Sequence, residues 1–158
     1  VMNHAKLQQI GTVDEIWNHP ANKFVATFVG EPQMNFMQGK IENKKEVSIH
    51  TKNGKSIFRF DGEVGAQFVG SEIAVGVRPQ QVRLSMANKT NDAIPGVVDL
   101  TQFQGESVIV TVIIDDLEKT EVKAVIETDW IPKPGEKVWL EMEPETIHLF
   151  DGERPILR

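Results

Sequence analysis

Two kinds of hydrophobic pattern divide the chain near residue 33. Before it, apolar residues fall at helical spacing between polar punctuation; after it, they come in short alternating runs broken by Gly, Pro and Asn. Thr12-Val13-Asp14-Glu15 reads as a capping box, in which the threonine hydroxyl accepts from the backbone and the glutamate reaches back, so a helix starts there. Ile16 and Trp17 give that helix its apolar side. His19-Pro20 ends it, because the residue before proline is pushed out of the helical region. Asn22 predicts a second cap, and Phe24, Val25, Phe28 and Val29 form one apolar stripe before Gly30-Glu31-Pro32 stops the helix. Two helices this short cannot bury their stripes alone and need a partner surface.

From Met34 the pattern predicts strands and turns. Asn53-Gly54, between apolar runs at 47–49 and 57–60, is a hairpin signal, since both residues tolerate the positive φ of a tight turn. Residues 73–77 form another strand. Residues 108–114 place Val108, Val110, Val112 and Ile114 on one face, as in a strand buried mainly on that side. Asp115-Asp116-Leu117-Glu118 reads as a solvated connection to a strand at 122–126, and Pro132-Lys133-Pro134-Gly135 as a turn into one at 138–142.

The β-rich part repeats itself. Residues 70–84 superpose without a gap on 135–149: a glycine, an alternating strand, a proline (Pro79, Pro144), then a branched residue and a leucine two apart. Upstream, Gly39-Lys40-Ile41-Glu42 is echoed by Gly96-Val97-Val98-Asp99. Such self-similarity marks duplicated units that stack or interleave. The expected fold is mainly β, with two duplicated OB-like five-stranded β-barrel units at about 36–86 and 94–151 and strands able to exchange between them.

Composition narrows the function classes. The 158 residues are 40% hydrophobic and 25% charged, the balance of a globular chain, and no apolar run is long enough to span a bilayer. The net charge of −6, with acids and bases interspersed, argues against a phosphate-backbone partner. Cysteine is absent, which removes disulfides and thiolate metal sites. Asn88-Lys89-Thr90 matches a glycosylation sequon but follows no secretory signal, so it reads as incidental.

Little of the apparent chemistry survives inspection. Gly54-Lys55-Ser56 resembles the end of a phosphate-binding loop, but Ile49 stands where the first glycine belongs and the setting is a hairpin rather than a strand–helix turn. His4, His19, His50 and His148 share no ligand spacing and read as surface or capping residues. Asp115 and Asp116, being adjacent, would project to opposite faces of a strand. No catalytic, cofactor-binding or metal-ligating residue is therefore expected. The candidates are for contact. Glu141, Glu143 and Glu145 would share one strand face beside Trp139, and bases such as Arg78 or Arg83 could meet them. Arg78, following a strand, reads first as a rim arginine in an ion pair with the other repeat, with an anion site or a subunit contact as alternatives. Trp130 and Trp139 could also mark an interface, with core packing the first reading for Trp130.

Several phrases carry a family resemblance. Residues 7–12, Asp14-Glu15-Ile16-Trp17, His19-Pro20-Ala21-Asn22 and residues 24–30 resemble the tail of the nucleotide-binding domain in maltose-type carbohydrate-importing ABC ATPases. Met34-Asn35-Phe36, Val75-Gly76-Val77-Arg78-Pro79 and residues 144–151 resemble that family's transport-associated OB (TOBE) regulatory region. The resemblance implies a domain tail at 1–32 and a regulatory domain at 33–158. It implies a non-catalytic dimerisation region whose parent subunit works with ABC membrane subunits at the cytoplasmic face, sometimes receiving a regulatory protein or a small effector. ATP and Mg would belong to the ATPase part of that parent, outside this sequence. The sequence departs from the family at Val13, where proline is common, and at Gln80-Gln81, where Glu-His is common. The alternative is a stand-alone small-ligand or oxyanion-binding OB-like sensor.

Overall fold

In the computed structural model, which describes residues 1–87 and 92–157, two short helices precede two interlocked antiparallel sheets. The sequon at 88–90 lies outside the described residues. A minimal hairpin, β1 (Met2–Asn3) and β2 (Lys6–Leu7), leads into α1 (Val13–Asn18). The capping box forms: Glu15 N donates to Thr12 Oγ1 at 3.2 Å, and Thr12 N donates to Glu15 Oε2 at 2.7 Å. In α2 (Lys23–Phe28), Val25 N donates to the Asn22 side chain at 2.8 Å, the second cap read from sequence. The expected stripe divides. Val25 and Ala26 are fully buried, while Phe28 is 62% exposed and stacks on Phe24 with ring centroids 5.7 Å apart. A six-residue helix seats only one side on the sheet, and the small Ala26 permits the close approach that phenylalanine would prevent.

The strands that follow are β3 (Asn35–Asn43), β4 (Glu46–Thr51), β5 (Gly54–Arg59), β6 (Glu72–Val77), β7 (Val82–Ser85), β8 (Ile94–Phe103), β9 (Ser107–Ile114), β10 (Glu121–Glu127), β11 (Lys137–Met142), β12 (His148–Asp151) and β13 (Arg154–Pro155). One sheet runs β13-β12-β6-β3-β4-β5 and the other β10-β9-β8-β11-β7. The last strand of each repeat has changed sheets: β12 pairs with β6, and β7 pairs with β11. The device that sends it across is the same in both. Pro79–Gln81 and Pro144–Thr146 are 3-10 turns, entered at Arg78 (φ −75°, ψ 142°) and Glu143 (φ −75°, ψ 142°). Proline suits this place because its fixed φ matches the turn and its missing N–H is not needed there.

The glycine-led strands correspond as well. The register shifts between Ile41 and Asn43 in one sheet and between Val98 and Leu100 in the other. Gly70 N donates to Ile41 O, and Gly135 N donates to Val98 O, both at 2.8 Å. A single apolar core joins the sheets, with Val75, Val110, Leu140 and Leu149 each at most 1% exposed. Polar staples cross it. The buried Asn35 amide exchanges two bonds of 2.8 Å with the backbone of Lys123 on β10, and Ser56 Oγ donates to Ala93 O at 2.8 Å.

Three local expectations are corrected. Thr51 pairs with Gly54, so the β4–β5 turn is Lys52-Asn53, and positive φ is needed only at Gly54 (φ 146°). Asp116 is not solvated: it is 7% exposed and accepts from Thr120 N at 2.8 Å, closing the β9–β10 connection, while Asp115 pairs with Lys52. Trp130 is not core but sits 37% exposed between strands, because two prolines follow it closely and hold that segment off the sheet.

Candidate functional site

Arg78 follows the end of β6, and it is the largest fully buried side chain among the described residues, 1% exposed. Its guanidinium does not meet a carboxylate. Nη1 donates to Val29 O at 2.7 Å, Nη2 to Trp17 O at 2.6 Å and Nε to Trp17 O at 3.2 Å. The plane lies 3.8 Å from the centroid of the Trp17 ring. These acceptors are the free carbonyls that a helix leaves at its C-terminal end, α1 supplying one and the cap of α2 the other. Gly30 lets the chain pass: with φ 118°, a Cβ there would sit 3.3 Å from Arg78 Nη1. Burial pulls the guanidinium down to about 10, still cationic at neutral pH. The reading of Arg78 as a rim residue in an ion pair is thus replaced by a buried clamp that fastens both helices to the barrel. The signal missed in the sequence was Trp17, taken for an apolar helix residue when its ring and carbonyl are the arginine's partners.

Beside this clamp, His148 on β12 stands opposite Gly76. Burial, with the charges of Arg78 and His19 behind it, pushes its imidazole down to about 4. It is neither a surface nor a capping histidine. A seam cavity of about 190 Å³ separates α1 from the barrel here, lined among others by His19, Gln81, Glu145 and His148. Gln81, one of the two departures from the resembled family, points a buried Oε1 with no partner among the described residues.

The acidic row comes apart. Trp139 and Glu141 do share the outward face of β11, and Glu141 lies opposite Arg83 on β7. Glu143 follows the end of the strand and holds Arg83 in an ion pair of 2.6 Å. Glu145 belongs to the 3-10 turn and faces the seam, since Pro144 breaks the alternation that would have aligned it. The structure therefore gathers Arg83, Glu141 and Glu143, with Trp139 adjoining. It sets Arg78 and Glu145 apart.

Gly54-Lys55-Ser56 offers no phosphate cradle. The segment is paired to β4, Lys55 Nζ binds Glu42 at 2.8 Å, and Ser56 Oγ is committed to Ala93 O. Among the described residues no three His, Asp or Glu converge as metal ligands, and no helix is long and apolar enough to cross a membrane.

The chain resembles known proteins in sequence and in fold. A family model described as the TOBE domain matches residues 75–150. The sn-glycerol-3-phosphate import ATP-binding protein of Agrobacterium fabrum is 30% identical over 151 residues, which cover 96% of this chain and 38% of the relative. Its counterpart in Escherichia coli is 30% identical over 165 residues, 97% of this chain and 41% of the relative. An uncharacterized ABC transporter ATP-binding protein of Sinorhizobium fredii is 33% identical over 152 residues, 96% of this chain and 38% of the relative. The chain thus spans about two fifths of the length of these relatives. Among solved structures, the cytoplasmic molybdate-binding protein ModG, with molybdate bound, superposes with a TM-score of 0.55 at 16% identity, covering 73% of this chain and 94% of that one. This last likeness is one of fold. The matched domain and the near-complete overlap with import ATP-binding proteins agree: residues 75–150 carry a TOBE domain, and the chain is related over nearly its whole length to part of the ATP-binding proteins of ABC importers.

Proposed function

We propose that the chain is the C-terminal, non-catalytic regulatory and dimerisation region of an ABC importer's ATP-binding subunit, serving a sugar or related solute at the cytoplasmic face of the membrane. The observation that carries this is the overlap of 96–97% of the chain with import ATP-binding proteins, in a molecule whose one phosphate-loop-like triplet is locked in a hairpin. ATP and Mg would be handled by another part of such a subunit. Residues 1–32 would close its ATPase domain and 33–158 form the regulatory domain, with Arg78 as the rigid joint between them. A rigid joint is what a regulator needs, because strain at the barrel then reaches the helices without being absorbed by a flexible linker.

A chimera tests the reading. The matching segment of the Escherichia coli sn-glycerol-3-phosphate import ATP-binding protein is replaced by this chain, and uptake is measured in cells lacking the native subunit. Restored uptake is expected; a stably folded chimera that assembles without supporting uptake would count against it. The fold shared with ModG favours a second reading, a stand-alone oxyanion sensor. Calorimetric titration with molybdate decides for it if saturable binding appears.

A further inference from the structure

The two repeats correspond in register but differ in what covers them. In the first, Ala74 on β6 lies between Phe150 and Gln38, and α2 lays Ala26 against Phe36, Ala74 and Phe150. At the corresponding place in the second, Trp139 on β11 lies between Ser85 and Pro95. There a groove of about 590 Å³ opens over the sheet, and no residue of α1 or α2 lines it.

We propose that this groove is a binding site for a phosphorylated sugar, with Trp139 against the C–H face of the ring and Lys52, Lys119 and Lys137 around the phosphate. The volume lies within the roughly 300–1,000 Å³ typical of small-ligand sites. Its floor is apolar, Trp139 half-buried beside Pro95 and Val97, which is 41% exposed. The electron-rich face of an indole suits the weakly positive C–H groups of a sugar ring. Around this floor the charge is positive. The lysines arrive from three separate elements: the β4–β5 turn, the β9–β10 connection and the start of β11. The one carboxylate lining the groove, Asp115, is engaged by Lys52 at 3.1 Å. Among the described residues, Lys119 and Lys137 enter no ion pair. In a chain of net charge −6, three lysines against one aspartate mark a local reversal of sign. The backbone that carries Lys119 is set by its turn: its φ is 54°, and the buried Asp116 accepts from the neighbouring Thr120 N–H and hydroxyl.

Tryptophan fluorescence of the full chain tests the site, with glucose 6-phosphate and fructose 6-phosphate as probes and glucose, inorganic phosphate and a poly-glutamate peptide as comparisons. The expected result is a saturable change with a hexose phosphate, at lower concentration than with glucose or phosphate. Trp139→Phe should remove that change although Trp17 and Trp130 remain. The double variant Lys119→Ala, Lys137→Ala should weaken binding about tenfold with an unaltered melting curve, as loss of charge-assisted contacts does. Both lysines are exposed, so the double variant reports binding even if Trp139→Phe disturbs packing. The proposal is overturned if neither hexose phosphate saturates the signal, or if inorganic phosphate binds equally well. It is overturned too if the lysine variant binds like the parent. Saturation by poly-glutamate but not by the sugar phosphates would overturn it in favour of an acidic protein partner.

Discussion

A guanidinium can be buried only when its N–H groups find acceptors, and Arg78 is nearly covered by two backbone carbonyls and an indole. Lysine cannot reproduce that arrangement, because a point ammonium neither forks between Trp17 O and Val29 O nor stacks. Arg78→Lys should therefore loosen the helices about as much as Arg78→Met, each costing about 2–3 kcal/mol in lost charged hydrogen bonds. Limited proteolysis is the check: cleavage within residues 1–32 should rise while the β-rich part stays resistant. His148 adds a pH dependence. Its folded-state value of about 4 lies below the ordinary 6.5, so between those values the unfolded chain holds a proton that the folded chain refuses. Stability should then be level above pH 6.5 and fall as pH drops towards 4, by about 3 kcal/mol. Melting curves across that range should show the decline in the native chain and a much flatter profile in His148→Gln.

At the scale of elements the duplication makes paired predictions. A methyl at Gly39 would sit 2.5 Å from Val75 Cγ2, and one at Gly96 would sit 2.6 Å from Val112 Cγ1 and 2.9 Å from Ile113 O. Both alanine substitutions should destabilise by about 1–3 kcal/mol in urea titrations, and Gly96→Ala more, because a backbone oxygen cannot turn away as a valine methyl can. The corresponding glycines, prolines and leucines were legible in the sequence because each is dictated by local backbone geometry, and so were both helix caps. The exchange of β7 and β12 was legible only as an option, since a 3-10 turn specifies the direction of the next strand and not which sheet receives it. The candidate site was less legible still. The destination of Arg78 depends on carbonyls 49 and 61 residues away in sequence, and the groove depends on lysines from three elements that only the folded sheets bring near Trp139. The acidic row failed for a local reason, the proline turn after β11.

Across the whole molecule, two sets of exposed apolar residues lie far apart in the chain. Phe28 (62%), Val13 (83%) and Ile10 (82%) lie on the N-terminal segment, whereas Leu100 (47%) and Phe103 (66%) lie on β8 in the second sheet. In the proposed subunit the first set would face an ATPase domain, and self-association would use the β-rich part, where one surface can serve both copies about a twofold axis. Sedimentation equilibrium of the full chain beside a variant carrying Phe24→Asp and Phe28→Asp tests this directly. These two rings stack on each other, and neither side chain bonds Arg78, whose acceptor at the end of α2 is the Val29 carbonyl, so the variant alters the helical surface without removing a clamp partner. Both proteins should dimerise with the same affinity. A monomeric variant beside a dimeric parent, or a parent that remains monomeric at its highest soluble concentration, would contradict the claim that this region holds the pair together.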